Sequence, residues 1–172
     1  MLELHVLGTS SARFAHGRAV SGSVVNTPGG TLLVDCGEGM QQRLIDHNRQ
    51  LKSSNLQSRT RIAKVRAILL THGHLDHCWG LLPMLQTMAL DGRKDPLLVI
   101  GPTTADALAW AHDNPGVPPS EESGVSSTDL AILFQQWQAL GSKDESFGFE
   151  LDWHLFTLDD DMPVPAPVQP IE

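Results

Sequence analysis

Val65-Arg66-Ala67-Ile68-Leu69-Leu70-Thr71-His72-Gly73-His74-Leu75-Asp76-His77 decides the reading of this chain. Residues 65–70 form a short apolar run with strand length and strand composition. They lead straight into His-x-His-x-Asp-His. With this composition, that pattern arises by chance in roughly one such sequence in a thousand, so it is treated as a site. Coming off a strand end, His72 and His74 lie two residues apart and point to one side, where they can share a metal. Asp76 and His77, displaced by the loop, can reach a second. Imidazole nitrogen and carboxylate oxygen together suit zinc, and two such ions can clamp a phosphate and activate a water. Gly73 permits a tight backbone path between the first two ligands. The lead-in strand and the Gly/Trp/Leu segment that follows set the motif apart from a solvated histidine run. The other histidines (His5, His16, His47, His112, His154) have no ligand spacing, and Cys78 reads as a small buried thiol.

Outward from the motif, strands alternate with helices, which indicates α/β layering. Strands are expected at 2–7, 23–26, 31–34 and 97–100, with Leu2, Leu4 and Val6 sharing one face. Residues 8–12 read as a small-residue turn, and 147–155 as an alternating strand through Phe147, Phe149, Leu151, Trp153 and Leu155. Helices are expected at 40–50, at 81–90 with Pro83 in the first turn, at 104–112 and at 128–140. Residues 52–61 read as a polar, basic loop and 114–126 as a Pro/Gly/Ser loop. The organisation is one domain over 1–158, followed by an acidic and then Pro-rich segment over 159–172.

The 172 residues carry a net charge of −8, unevenly spread. Residues 1–66 hold 9 of the 12 Lys+Arg and 4 of the 20 acids; the remainder holds 3 and 16. An acidic protein can thus present a basic face to a polyanion. Seven of the bases fall between Arg43 and Arg66, and Asp46 is the one acid among them. No run of about 18 apolar residues predicts a membrane span, and the N-terminus lacks the pattern of a signal peptide. Two cysteines suit a reduced, cytoplasmic protein.

His-x-His-x-Asp-His after an apolar strand is the signature of the metallo-β-lactamase superfamily, which hosts many substrates. The flanks are more selective. Leu7-Gly8-Thr9-Ser10-Ser11-Ala12-Arg13, Gly17-Arg18, Ser21-Gly22, Asp35-Cys36-Gly37-Glu38-Gly39-x-Gln41, Thr71–His77 with Gly80-Leu81, and Gly101-Pro102 together resemble the N-terminal half of the ribonuclease Z family of tRNA 3′-processing endoribonucleases. These blocks span residues 4 to 102; residues 103–172 match by architecture alone. The resemblance implies an αβ/βα sandwich, incomplete in this chain. It implies two Zn2+ per complete site, with His72 and His74 on the first zinc and Asp76 and His77 on the second. Asp76 would also be the catalytic, proton-handling carboxylate. Asp35 would orient the histidine loop; a plain strand-end turn residue is the other role open to it. Arg13 and Arg18 would face the substrate, precursor tRNA, in a family whose intact members are expected to be homodimers. Arg59 and Arg61 are the basic-loop residues expected on the RNA backbone. The family's later histidine, bridging aspartate and final histidine are not recognisable: His154 lies on an alternating strand, and Asp159, Asp160 and Asp161 read as solvated charge. Two other readings stay open, a different phosphodiesterase of this fold and an inactive RNA- or partner-binding module.

Overall fold

The computed structural model describes residues 2–56, 59–140, 147–157 and 163–167. Asp159–Asp161 and residues 168–172 of the Pro-rich end lie outside the described residues. A mixed sheet of eight strands runs in the order β2-β1-β3-β4-β5-β6-β7-β8. Its strands are β1 (Glu3–Ser10), β2 (Ala19–Val20), β3 (Gly22–Thr27), β4 (Gly30–Val34), β5 (Val65–Leu69), β6 (Leu97–Pro102), β7 (Leu151–Phe156) and β8 (Val164–Pro165). Strands β4 to β7 pair in parallel, while β1, β3 and β4 form an antiparallel meander. Each parallel step needs a crossover, and helices supply it. They are α1 (Met40–Ser53), α2 (Leu75–Cys78) with α3 (Leu81–Leu90), and α4 (Ala105–Asp113) with α5 (Leu130–Leu140).

The register explains which face is covered. His5, Val24, Leu33, Ile68, Val99 and Trp153 form one row straight across the sheet. Val24, Leu33, Ile68 and Val99 in that row are fully buried, in one core with Leu44 of α1, Leu81 and Leu85 of α3, and Phe134 of α5. The opposite face carries Leu4, Val25, Leu32, Ala67 and Leu98 in one row, and Val6, Val34, Leu69 and Ile100 in the next. It is largely half-buried, and Leu4 and Val6 at its margin are 64% and 57% exposed. The alternation at 2–7 therefore marks a real face, but the less covered one.

Several expected boundaries shift. Residues 8–10 extend β1, where Gly8 and Ser10 pair with β2; small residues there permit close strand approach rather than a turn. Phe147 and Phe149 alternate without being strand. They flank Gly148, whose φ is 73°, and Phe149 lies under the Arg93 guanidinium. Helix α5 starts at Leu130 because Asp129 caps it, accepting from the Ala131 N–H. Asp76 and His77, expected on a loop, sit on the short helix α2. Val164–Pro165 pairs with β7, so part of the 159–172 segment joins the sheet as its edge strand, a place where proline is tolerated. No helix among the described residues is long and apolar enough to cross a membrane.

Candidate metal centre

Parallel strands place their carboxyl ends together, and loops at that end build sites. Asp35 follows β4 and residues 71–77 follow β5, so both arrive at one edge. Asp35 takes φ 58°, a left-handed conformation that Asp tolerates better than most side chains. That turn buries its carboxylate, and the contacts there are dense. Oδ1 accepts from the Thr71 N–H and the Thr71 hydroxyl, both at 2.8 Å. Oδ2 accepts from the Ser21 hydroxyl at 2.8 Å and meets His77 Nδ1 at 2.6 Å. Burial alone would raise the Asp35 pKa, but the Thr71 backbone, His77, Ser21 and Thr71 hydroxyl hydrogen bonds together hold it below the ordinary value.

This carboxylate sets two histidine tautomers. An ionised acceptor at Nδ1 puts the His77 proton there and leaves Nε2 with its lone pair. The Thr71 hydroxyl gives its proton to Asp35, so its oxygen accepts from His72 Nδ1, 3.0 Å away. That leaves His72 Nε2 basic as well. The rings converge: centroids lie 4.0 Å apart for His72 and His77 and 4.6 Å apart for His72 and His74. Burial first, then the neighbouring His77 and His74, hold the His72 pKa below its ordinary value. Asp76 Oδ2 lies 3.7 Å from His77 Nε2 and accepts the Ala12 N–H at 2.9 Å. That backbone bond is the main cause of its lowered pKa.

Glycines and a thiol brace the loop. A Cβ on Gly73 would collide with the Thr128 carbonyl, and one on Gly37 with the Asp76 carbonyl. Cys78 Sγ lies within donating distance of the Gly73 and His74 carbonyls, and burial pushes its pKa up to about 12, so it is a protonated clasp. Two grooves open beside the loop. One of about 390 Å³ is lined by His72, His74, Thr103, Thr128 and Asp129. The other, of about 460 Å³, is lined by Ala12, Glu38, Leu75, Asp76 and Trp79.

The donor types fit a nitrogen- and oxygen-ligated cation such as zinc, and the tautomers present lone pairs to it. The number falls short: among the described residues no three His, Cys, Asp or Glu side chains are assembled to hold an ion. Two donors for each of two metals would leave both incomplete without the later ligands. Arg13 is exposed on the loop whose Ala12 meets Asp76, and Arg18 is exposed at the far side of that loop, where its N–H pairs with the Ala15 carbonyl. Arg59 and Arg61 are not near this edge. They precede β5, one strand length of about 17 Å from its carboxyl end. Sequence reasoning missed Asp129, Thr128, Ser21 and the Ala12 N–H. Asp129 before an apolar helical run was visible as a cap; the others depend on long-range packing.

The sheet with its histidine loop defines the metallo-β-lactamase fold. The family model described as "Anti-Pycsar protein Apyc1" matches residues 2–157, and the chain belongs to that family. It is also similar to ribonuclease Z of Salinibacter ruber, at 38% identity over 117 residues, covering 68% of this chain and 32% of that one. Ribonuclease Z of Methanosarcina acetivorans is 34% identical over 102 residues, 59% of this chain and 30% of its own. The chain thus spans about a third of the length of these curated relatives. Among solved structures, human tRNase Z, short form, superimposes with a TM-score of 0.61 at 23% identity, over 98% of this chain and 50% of that chain. A metallo-β-lactamase fold protein from Bacillus subtilis gives 0.54 at 19% identity, over 96% and 48%. These two show the fold. The ribonuclease Z resemblance read from residues 4–102 is met by relatives of that name.

Proposed function

We propose that this chain carries the metal-binding half of a zinc-dependent endoribonuclease that removes the 3′ trailer from precursor tRNA. The observation that carries the reading is the Asp35 carboxylate, which orients His77 directly and His72 through Thr71. In this assignment His72 and His74 hold one zinc, and Asp76 and His77 the second. When bound, the ions would supply Lewis acidity and a water acidified toward neutral pH. The chain's own residues do the rest. Asp35 keeps both imidazoles in the ligand tautomer. Asp76, fixed by the Ala12 N–H, holds or transfers a proton beside the reacting phosphate. Arg13, on the same loop as Ala12, pairs with a non-bridging phosphate oxygen, and Arg18 with a neighbouring phosphate. The cut leaves a 3′-hydroxyl on the tRNA. The ribonuclease Z relatives support this substrate, and the intact protein is read as a cytoplasmic homodimer.

A second reading has its own observation: the matching family model bears a name other than that of a tRNA-processing enzyme, and each site groove is small. A small phosphodiester is its substrate class. This half-site is expected to be weak or inactive alone, so the test incubates a complete protein carrying these residues, and its Asp76→Ala variant, with zinc and a labelled precursor tRNA, then with bis(p-nitrophenyl) phosphate. Trailer release that Asp76→Ala abolishes, with RNA binding retained, is the expected result. Hydrolysis of the small diester alone selects the second reading. RNA binding without either hydrolysis identifies a binding module.

A further inference from the structure

We infer that the chain has a second RNA-backbone site, a basic groove at the opposite pole of the sheet from the histidine loop. The inference rests on the reading of RNA as substrate and adds where else the RNA is gripped. Strand β5 runs from the groove to the candidate metal centre. The groove, of about 640 Å³, is lined by Lys52, Asn55, Leu56, Arg59 and Arg61. Its three cations are exposed, and their side chains make no ion pair or hydrogen bond among the described residues. Asn48 fixes the loop by bonding the Thr60 N–H at 3.0 Å and the Thr60 carbonyl at 2.7 Å. Arg59 and Arg61, on either side of the buried Thr60, are thus held to one frame rather than left on a loose loop.

A single turn, Ile62–Lys64, joins this groove to a neighbour of about 510 Å³ lined by Lys64, Arg66, Arg93 and Asp95. The two differ in what their cations already do. Lys64 pairs with Asp95 at 3.2 Å. The Arg93 guanidinium is occupied by the carbonyls of Ala63, Val65, Asp95 and Pro96. Arg66 is exposed and lies across Gly30. The uncommitted charge therefore runs from Lys52 through Arg59 and Arg61 to Arg66. Guanidinium forks match phosphate oxygens in pairs, and exposed Leu56 between them offers an apolar surface to a ribose or base. The remaining sequence is net acidic, which steers a polyanion toward basic surfaces, this strip and the Arg13–Arg18 loop.

Distance makes the groove selective for long substrates. About 17 Å of strand separates it from the metal loop. One RNA must therefore cover several nucleotides to touch both poles. A dinucleotide-sized diester cannot.

The test measures binding of a fluorescent RNA hairpin bearing an acceptor-like stem and trailer to the 172-residue chain in EDTA, across a salt series. The variants are Lys52→Glu/Arg59→Glu/Arg61→Glu and the milder triple alanine. Each lost phosphate contact lowers the slope of log K against log salt by about 0.7 to 1. The triple alanine variant should flatten the slope by about two to three and weaken binding at least ~10-fold near 0.1 M salt. All positions are solvent-exposed, so an unchanged thermal melt confirms folding. An unchanged slope overturns the groove, even if the chain cuts precursor tRNA normally. A flattened slope here, with no trailer release by the complete protein in zinc, leaves the groove standing and overturns the endonuclease reading. Loss of binding to phosphatidylserine vesicles with the RNA slope intact assigns the strip to a membrane surface and also overturns the inference.

Discussion

Asp35→Asn separates geometry from charge at the candidate metal centre. Asparagine tolerates φ 58° nearly as well as aspartate, so the turn survives. The amide oxygen can still accept from the Thr71 N–H and hydroxyl. The reverse orientation would aim an amide N–H at the buried Thr71 N–H, which costs about 1–3 kcal/mol. The favoured orientation puts the amide nitrogen beside His77 Nδ1, now as a donor. His77 must then carry its proton on Nε2 and loses the lone pair aimed at the metal. His72 is spared, because Thr71 still gives its hydroxyl proton to the oxygen at position 35. The substitution therefore strikes one ligand pair and leaves the other. Loss of an orienting partner of this kind costs about 10–100-fold in metal affinity, or roughly 1.4–2.7 kcal/mol. Replacing charge-assisted acceptors by neutral ones costs about 1–2 kcal/mol of stability.

Two measurements check this. Long-range 1H–15N spectra of the metal-free protein assign each tautomer, with His77 expected to move from Nδ1–H to Nε2–H while His72 does not move. Zinc competition against a chromophoric chelator, run on a complete protein carrying these residues, should weaken one class of sites by that factor and leave the other unchanged. If His77 keeps Nδ1–H in a folded Asp35→Asn variant, the proposed relay from Asp35 is wrong.

The remaining predictions concern the frame. Gly73→Ala must displace the Thr128 carbonyl or the loop, at about 1–3 kcal/mol, read as a lower urea midpoint. Arg93→Met leaves the carbonyls of Ala63, Val65, Asp95 and Pro96 without their donor and should cost about 3 kcal/mol or more, measured by chemical denaturation. His47 meets His5 at 3.0 Å between α1 and β1, and burial, then His5 and Arg43, lower its pKa from 6.5. The unfolded chain therefore takes up this proton first as pH falls. The stability His47 allows is complete above pH 6.5 and declines below it, until the lowered folded-state pKa is passed. His47→Gln should flatten the pH dependence of the urea midpoint below 6.5; an unchanged profile would move the titration elsewhere.

Local period carried most of the architecture. Leu81, Met84, Leu85 and Met88 recur at helical spacing and are all fully buried on α3, and the expected helix there matches its bounds. Where sequence misled, a local pattern had a non-local cause. Phe147 and Phe149 alternate because they flank a glycine turn, with Phe149 packed under Arg93 and Phe147 against Phe149. Gly8 to Ser10 look like a turn but find a partner in β2, whose two residues are too short to show a period. The histidine cluster was legible because candidate ligands two and four residues apart need no knowledge of the rest of the fold. The Asp35 contacts to Ser21 and Thr71 span 14 and 36 residues, and spacing alone cannot reveal such pairs. Arg59 and Arg61 sit close to the motif in sequence, yet a strand between them carries them to the other pole.

The incompletely covered sheet has a thermodynamic signature. Leu4 and Val6 on the less covered face stay 64% and 57% exposed in the folded state, and the rest of that face is largely half-buried. Unfolding thus brings less new apolar surface into water than the length suggests. Heat capacity follows that surface, so the increment should fall below the roughly 2.1–2.6 kcal/mol/K ordinary for 172 residues. A smaller increment makes the stability curve less bent: at a given unfolding enthalpy, stability keeps rising further below the melting temperature, and the cold-denaturation limit moves down.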